Sequence, residues 1–269
     1  MSLELSPRQN LSLGIVTAVL EGLILQPTLY WKNARALKLP FSVNPRIVYR
    51  GTAASMFNEI YMMGMQFGIT GFLQRAISSN RAQEMTRTQE LCSAALGGML
   101  SGLATTPIEL VMIQQQRYGG TFIGTPIRLI NEFGFFRNGL FRGCIPAIMR
   151  DSIYVCGLLG ISPILQRFFI AEYQMNNINA SICASMIGGI FASLPSHPFD
   201  ICKTNMQGDM SQSVYKSFSG TFQSLWREGG VTRMYHGCMW RTINIISTVF
   251  IANECRIHFP EYILKFGYI

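Results

Sequence analysis

The sequence predicts an all-α membrane protein: six transmembrane helices, built as three repeats within one domain spanning 1–269. Three observations carry this. Of 269 residues, 49% are hydrophobic and only 13% charged, with a mean hydropathy of +0.24; an ordinary soluble domain carries about 25% charge. Apolar stretches of about 20 residues or more are broken by Gly, Pro and small polar residues, the texture of membrane helices lining a bundle or cavity. Finally, one local pattern occurs three times. Each of Pro27, Pro107 and Pro198 lies five residues after the end of a ladder of small residues four apart: Gly14, Ala18, Gly22; Ala94, Gly98, Gly102; Ser185, Gly189, Ser193. Self-similarity of this kind has to be read before any single residue is interpreted.

In chain order, the first helix is predicted near 11–36 and carries Pro27-Thr-Leu29-Tyr-Trp-Lys32. Pro40 and Pro45 then argue for an extended link. The first module is also short: 24 residues separate Pro27 from Gly51, against 36 from Pro107 to Gly143 and 39 from Pro198 to Gly237. Tyr49-Arg50-Gly51 opens a helix near 52–77. The next, near 88–117, carries Pro107-Ile-Glu109-Leu-Val-Met112, followed by Gln116. Glu132-Phe-Gly134 and Phe141-Arg142-Gly143 precede a helix near 144–170. A fifth helix near 178–207 carries Pro198-Phe-Asp200-Ile-Cys-Lys203 and Gln207; Glu228-Gly229 and Tyr235-His236-Gly237 precede the sixth, near 238–259. The repeats run approximately over 8–80, 86–172 and 177–265.

The net charge of +8 concentrates in connecting segments, at 32–50, Arg137, Arg142, Arg227 and Arg233, where it suits anionic lipid headgroups. Basic residues interleaved with stacking aromatics on one face are absent, so no nucleic-acid partner is expected. Seven scattered cysteines without a CxxC pair read as buried thiols, and no metal site follows. His197, His236 and His258 stand apart without a nucleophile–base pattern, and Gly97-Gly98 and Gly188-Gly189 read as packing sites, so no enzyme and no cofactor is expected. The opening MSLELSPRQN has neither the Arg-rich character of a transit peptide nor an apolar secretory core.

The motif Pro-x-[Asp/Glu]-x-x-[Lys/Arg] with a later Gln, followed by acidic-Gly and aromatic-basic-Gly elements, resembles the mitochondrial carrier family over the whole chain, in three registers. The resemblance implies six tilted helices about a pseudo-threefold axis, short amphipathic matrix helices, alternating access through a central cavity, a multi-pass protein of the mitochondrial inner membrane, and a bound phospholipid such as cardiolipin. The residues support parts of this directly. Small residues every four positions let helix backbones approach closely, and a proline within a long helix removes a hydrogen bond and bends it. The short first module implies a missing matrix helix.

In the family, the acid of each proline motif pairs with the base of the next to close the matrix side. Carried over, Glu109 pairs with Lys203 and Asp200 with Lys32, while Leu29 meets Met112. Both losses fall on one pair, so no charge is stranded at low dielectric. The cytoplasmic ring is not kept: its positions hold Gly71 and Gln74, Pro163 and Gln166, Arg256 and Phe259, with Arg75 and Arg167 expected to repel and Glu254 as a displaced acid. Seven residues past each motif Gly lie Asn58 (then Glu59), Arg150 (then Asp151) and Asn244, with Arg241 one turn nearer the matrix. Ionisable groups at that depth are costly and usually functional. By resemblance to amino-acid carriers of the family, Arg150 would hold a carboxylate bidentately and an acid would meet an amino group; the alternative is that Glu59, Arg150 and Asp151 neutralise one another in a filled cavity. Two functions follow: exchange of a small amino-acid-like or carboxylate solute, or a non-transporting subunit of a larger inner-membrane, respiratory-chain assembly.

Overall fold

The computed structural model describes residues 16–17, 19–77, 86–136 and 138–266, without the side chains of 252, 253 and 256–266. Gly14, Ala18 and Arg137 of the sequence pattern lie outside the described residues, as do the side chains of Arg256, His258 and Phe259.

Helical residues 19–24 bend at Leu25 and continue as α1 (Gln26–Ala36), with the N–H of Leu25 still donating to the Glu21 carbonyl at 2.8 Å. Pro27 has no N–H to offer the Leu23 carbonyl four residues back; the Tyr49 hydroxyl donates to it instead, at 3.2 Å. The link is only partly extended. Pro45 starts a one-turn helix α2 (Pro45–Val48), because proline suits the first helical position and the Asn44 side chain caps the Arg46 N–H at 3.0 Å. No longer helix intervenes before α3 (Thr52–Ile77). The short link is held by Trp31, which donates to the Ser42 carbonyl at 2.8 Å and packs between Phe41 and Trp240, ring centroids 5.4 and 4.6 Å away.

The second module runs α4 (Arg87–Tyr118), α5 (Gly124–Phe133), α6 (Cys144–Val155), a π turn at Cys156–Ile161 and α7 (Ser162–Tyr173). The third runs α8 (Asn177–Gly208), α9 (Phe218–Met234) and α10 (Cys238–Phe266). Thr86 and Gln89 form a capping box at the start of α4, and Asn176 caps α8 at 2.8 Å. Prolines 107, 195 and 198 lie inside their helices, and the hydroxyls of Thr106 and Ser196 fold back onto the carbonyls of Gly102 and Ser193 at 2.6 and 3.1 Å. Among the described residues, Arg87–Tyr118, Cys144–Tyr173 and Asn177–Gly208 are long and apolar enough to cross a membrane, and Cys238–Ile251 is a shorter apolar helix. The 26 residues of α3 span about 39 Å at 1.5 Å per residue, also enough to cross.

Two kinds of glycine join these helices. Ladder glycines pack each odd-numbered membrane segment onto the next: a Cβ on Gly22 would meet Met56 Cγ at 2.4 Å, one on Gly98 the Asp151 carbonyl oxygen at 2.3 Å, and one on Gly189 the Ile245 side chain at 3.2 Å. The glycines of the aromatic-basic-Gly elements have left-handed backbones, φ +75° at Gly51, +78° at Gly143 and +84° at Gly237, which explains why glycine ends all three. Each also faces the proline-motif helix of the next module: Gly51 against Gln115, Gly143 against Gln207 and Lys203, Gly237 against Lys32 and Arg35. One leads to two, two to three and three back to one, so the modules close into a ring.

Candidate functional site

The proline motifs bring α1, α4 and α8 together around Asp200. Its carboxylate lies 2.9 Å from Lys32 Nζ, 3.3 Å from Arg150, 3.4 Å from Lys203 and 3.7 Å from Arg241. Glu109 accepts from Lys203 Nζ at 2.9 Å and from Arg150 Nη1 at 2.7 Å. Arg150 Nε donates to Asp151 at 2.6 Å. Leu29 packs against the apolar cluster that contains Met112, so the pair without charges sits in a hydrophobic seam beside the ionic one. Buried ions of this kind persist only when paired and hydrogen-bonded.

The sequence expectation separated a gate level from a cavity level. The structure joins them through Arg150, whose side chain belongs to both. Above the ion pairs lies a cavity of about 250 Å³, lined by Asn58, Glu59, Gln66, Arg150, Asp151, Tyr154, Arg241 and Asn244 together with the proline-motif residues. The filled-cavity expectation is therefore not met. Nor do Glu59, Arg150 and Asp151 neutralise one another as a trio, because Glu59 has no ion pair among the described residues. Arg241 is drawn toward the ion pairs: it donates to Ser196 Oγ at 2.9 Å and its guanidinium lies 5.5 Å over the Tyr154 ring. Asn244 Nδ2 donates to Thr28 Oγ1 at 2.9 Å, tying α10 to α1.

Several buried polar atoms at the cavity wall have no partner: Asn58 Oδ1, Gln66 Nε2, Arg150 Nη2 and Asp151 Oδ2. Unpaired polar groups of this kind are costly unless something binds them. The wall carries four acids (Glu59, Glu109, Asp151, Asp200) and four bases (Lys32, Arg150, Lys203, Arg241). Sequence reasoning missed Glu21, which is 6% exposed and faces a side pocket next to Glu59. An acid inside an apolar stretch was the signal available for it.

At the other mouth, Gly71, Gln74 and Pro163 line a separate pocket with Glu90. Arg167 was expected to repel Arg75; it pairs instead with Glu90 at 2.6 Å, joining α7 to α4. On the loop face beside the proline motifs, Glu228 accepts from Lys38, Arg233 and the Tyr215 hydroxyl at 2.5, 3.0 and 2.8 Å. Partial burial opposes its ionisation, yet these three donors hold its carboxyl down at about 2. Asp209 is held well below the carboxylate range against its burial, chiefly by the N–H groups of Tyr215 and Val214 and the hydroxyls of Ser213 and Ser211.

The family profile described as "Mitochondrial carrier protein" matches residues 83–173 and 174–254. The chain is 24% identical over 220 residues to the mitochondrial 2-oxodicarboxylate carrier 2 of Saccharomyces cerevisiae, covering 78% of this chain and 67% of that protein. It is 22% identical over 227 residues to a mitochondrial arginine transporter of Arabidopsis thaliana, covering 79% and 74%. To the mitochondrial 2-oxoglutarate/malate carrier protein of Homo sapiens it is 27% identical over 177 residues, covering 60% and 54%. With three glycine-closed modules, ion pairs across the proline motifs and a family match over more than half its length, this chain belongs to the mitochondrial carrier family.

Proposed function

We propose that the protein exchanges a small carboxylate-bearing or amino-acid-like solute across the mitochondrial inner membrane by alternating access. The observation that supports this most is the position of Arg150. Its Nη1 holds Glu109 at 2.7 Å and Asp200 at 3.3 Å, while Nη2 lacks a partner on the cavity wall. A solute carboxylate taking the guanidinium fork competes with the two acids that help close the proline-motif end. Binding in the cavity thereby weakens closure, and a solute with different affinities for the two states shifts the balance between them. The relatives are carriers of 2-oxodicarboxylates, of arginine and of 2-oxoglutarate and malate by name, which fits a site that presents both an arginine and unpaired carboxylates.

The lack of charge at Gly71, Gln74, Pro163 and Gln166 favours a second reading, a non-transporting subunit of an inner-membrane assembly. Counter-exchange by purified protein in liposomes, across a panel of amino acids, 2-oxo acids and dicarboxylates, separates the two. Saturable exchange of at least one member is expected. No exchange across the panel, with co-migration of the protein in a respiratory complex after mild solubilisation, contradicts the carrier reading.

A further inference from the structure

Resting on the carrier reading, we infer that Glu21 and Glu59 form an ammonium subsite in the cavity wall, and that the solute is a cationic amino acid of net charge +1. The four acids and four bases at the main cavity wall balance; Glu21 adds a fifth acid beside them. Every base is engaged in the ion pairs around Glu109, Asp151 and Asp200, whereas Glu21 and Glu59 have no ion pair or hydrogen bond among the described residues. The acids left without a base are therefore these two side chains.

They share a side pocket of about 30 Å³ between the first helix and α3, which meets the main cavity at Leu29, Glu59, Asn244 and Thr248. An independent feature points the same way. Gln26 is 1% exposed and lines this pocket; its Nε2 faces the carbonyls of Val48 and Arg50 at 3.5 and 3.3 Å, which leaves Oε1 without a partner. Ser55 Oγ has already donated, to the Gly51 carbonyl, and one N–H of Asn244 Nδ2 is taken by Thr28 Oγ1. Against the second Asn244 N–H and the Thr248 hydroxyl, the lining sets two carboxylates and the unpartnered Gln26 Oε1, so acceptors are in excess and a group with several donors suits it. Its volume admits one water-sized group, which suits an ammonium. With the ammonium here, the solute's carboxylate reaches toward Arg150 across the main cavity.

Purified protein in detergent is heated with L-lysine, with cadaverine (the diamine lacking the carboxylate) or with 2-oxoglutarate, for the wild type and for E21Q and E59Q. Glutamine is nearly isosteric with glutamate, so the substitutions preserve packing. L-lysine is expected to raise the unfolding temperature most and cadaverine less. Each variant should need at least about 10-fold more lysine for the same shift, the loss of roughly one charge-assisted contact. Stabilisation by 2-oxoglutarate alone, or lysine shifts equal in all three proteins, overturns the inference. Liposome exchange of the same compounds keeps the two readings apart. Glutamate-dependent lysine binding without exchange supports the subsite and sinks the carrier reading. Exchange of 2-oxoglutarate that ignores both substitutions supports the carrier reading and sinks the subsite.

Discussion

Asp200 gathers four cationic side chains within 3.7 Å, and a carboxylate so placed cannot be neutralised without leaving buried positive charge behind. Asp200→Asn is expected to cost about 3 kcal/mol of folding stability, the scale of an uncompensated buried charge, read as a fall in unfolding temperature in detergent. A change within about 0.5 kcal/mol, the scale of ordinary surface substitutions, would show that water solvates these groups well enough to do without it. Glu228, in the connecting segment and outside the membrane helices, behaves differently. Its folded value of about 2 lies below the unfolded value of about 4.3. Its contribution is therefore complete above that unfolded value and is lost as pH falls toward the folded one. The gap in unfolding temperature between wild type and Glu228→Gln should hold at neutral pH and shrink below about pH 4.3; a gap independent of pH contradicts the assignment.

At the scale of elements, the repeated motif placed the charges of Glu109, Lys203, Asp200 and Lys32 at fixed offsets, and the family resemblance supplied which of them pair. The role of the aromatic-basic-Gly elements was legible only as a landmark. Their backbone conformation and their contact with the next module need coordinates, since no local pattern names a partner more than 60 residues away. The π turn at Cys156–Ile161 was not legible. Pro163 cannot donate to the Leu159 carbonyl, and a wider turn just before it accommodates the break; Gly157 then packs against Ala192 and Gly188. Gly98→Ala tests the ladder, because its Cβ would lie 2.3 Å from the Asp151 carbonyl oxygen. We expect a loss of about 1–3 kcal/mol from overpacking, seen as a lower unfolding temperature. No loss would mean that α4 and α6 can separate freely at this point.

For the whole molecule, composition and the threefold repeat predicted the all-helical membrane class, and the family match agrees with it. What the sequence could not convey is that cavity and closure share a residue. Counting along helices placed Arg150 at one level and the proline-motif charges at another; a long arginine side chain spans that difference, which no count of Cα positions records. The most direct measurement is the initial rate of liposome exchange, for the panel solute moved fastest, in wild type and in Arg150→Lys. Lysine keeps the positive charge beside Glu109 and Asp200 but loses the planar fork that can hold a solute carboxylate at the same time. We expect the rate per folded protein to fall about 10- to 100-fold, with a lower unfolding temperature because Asp151 loses its ion pair to Arg150 Nε. An unchanged rate would contradict the claim that Arg150 links the solute to closure.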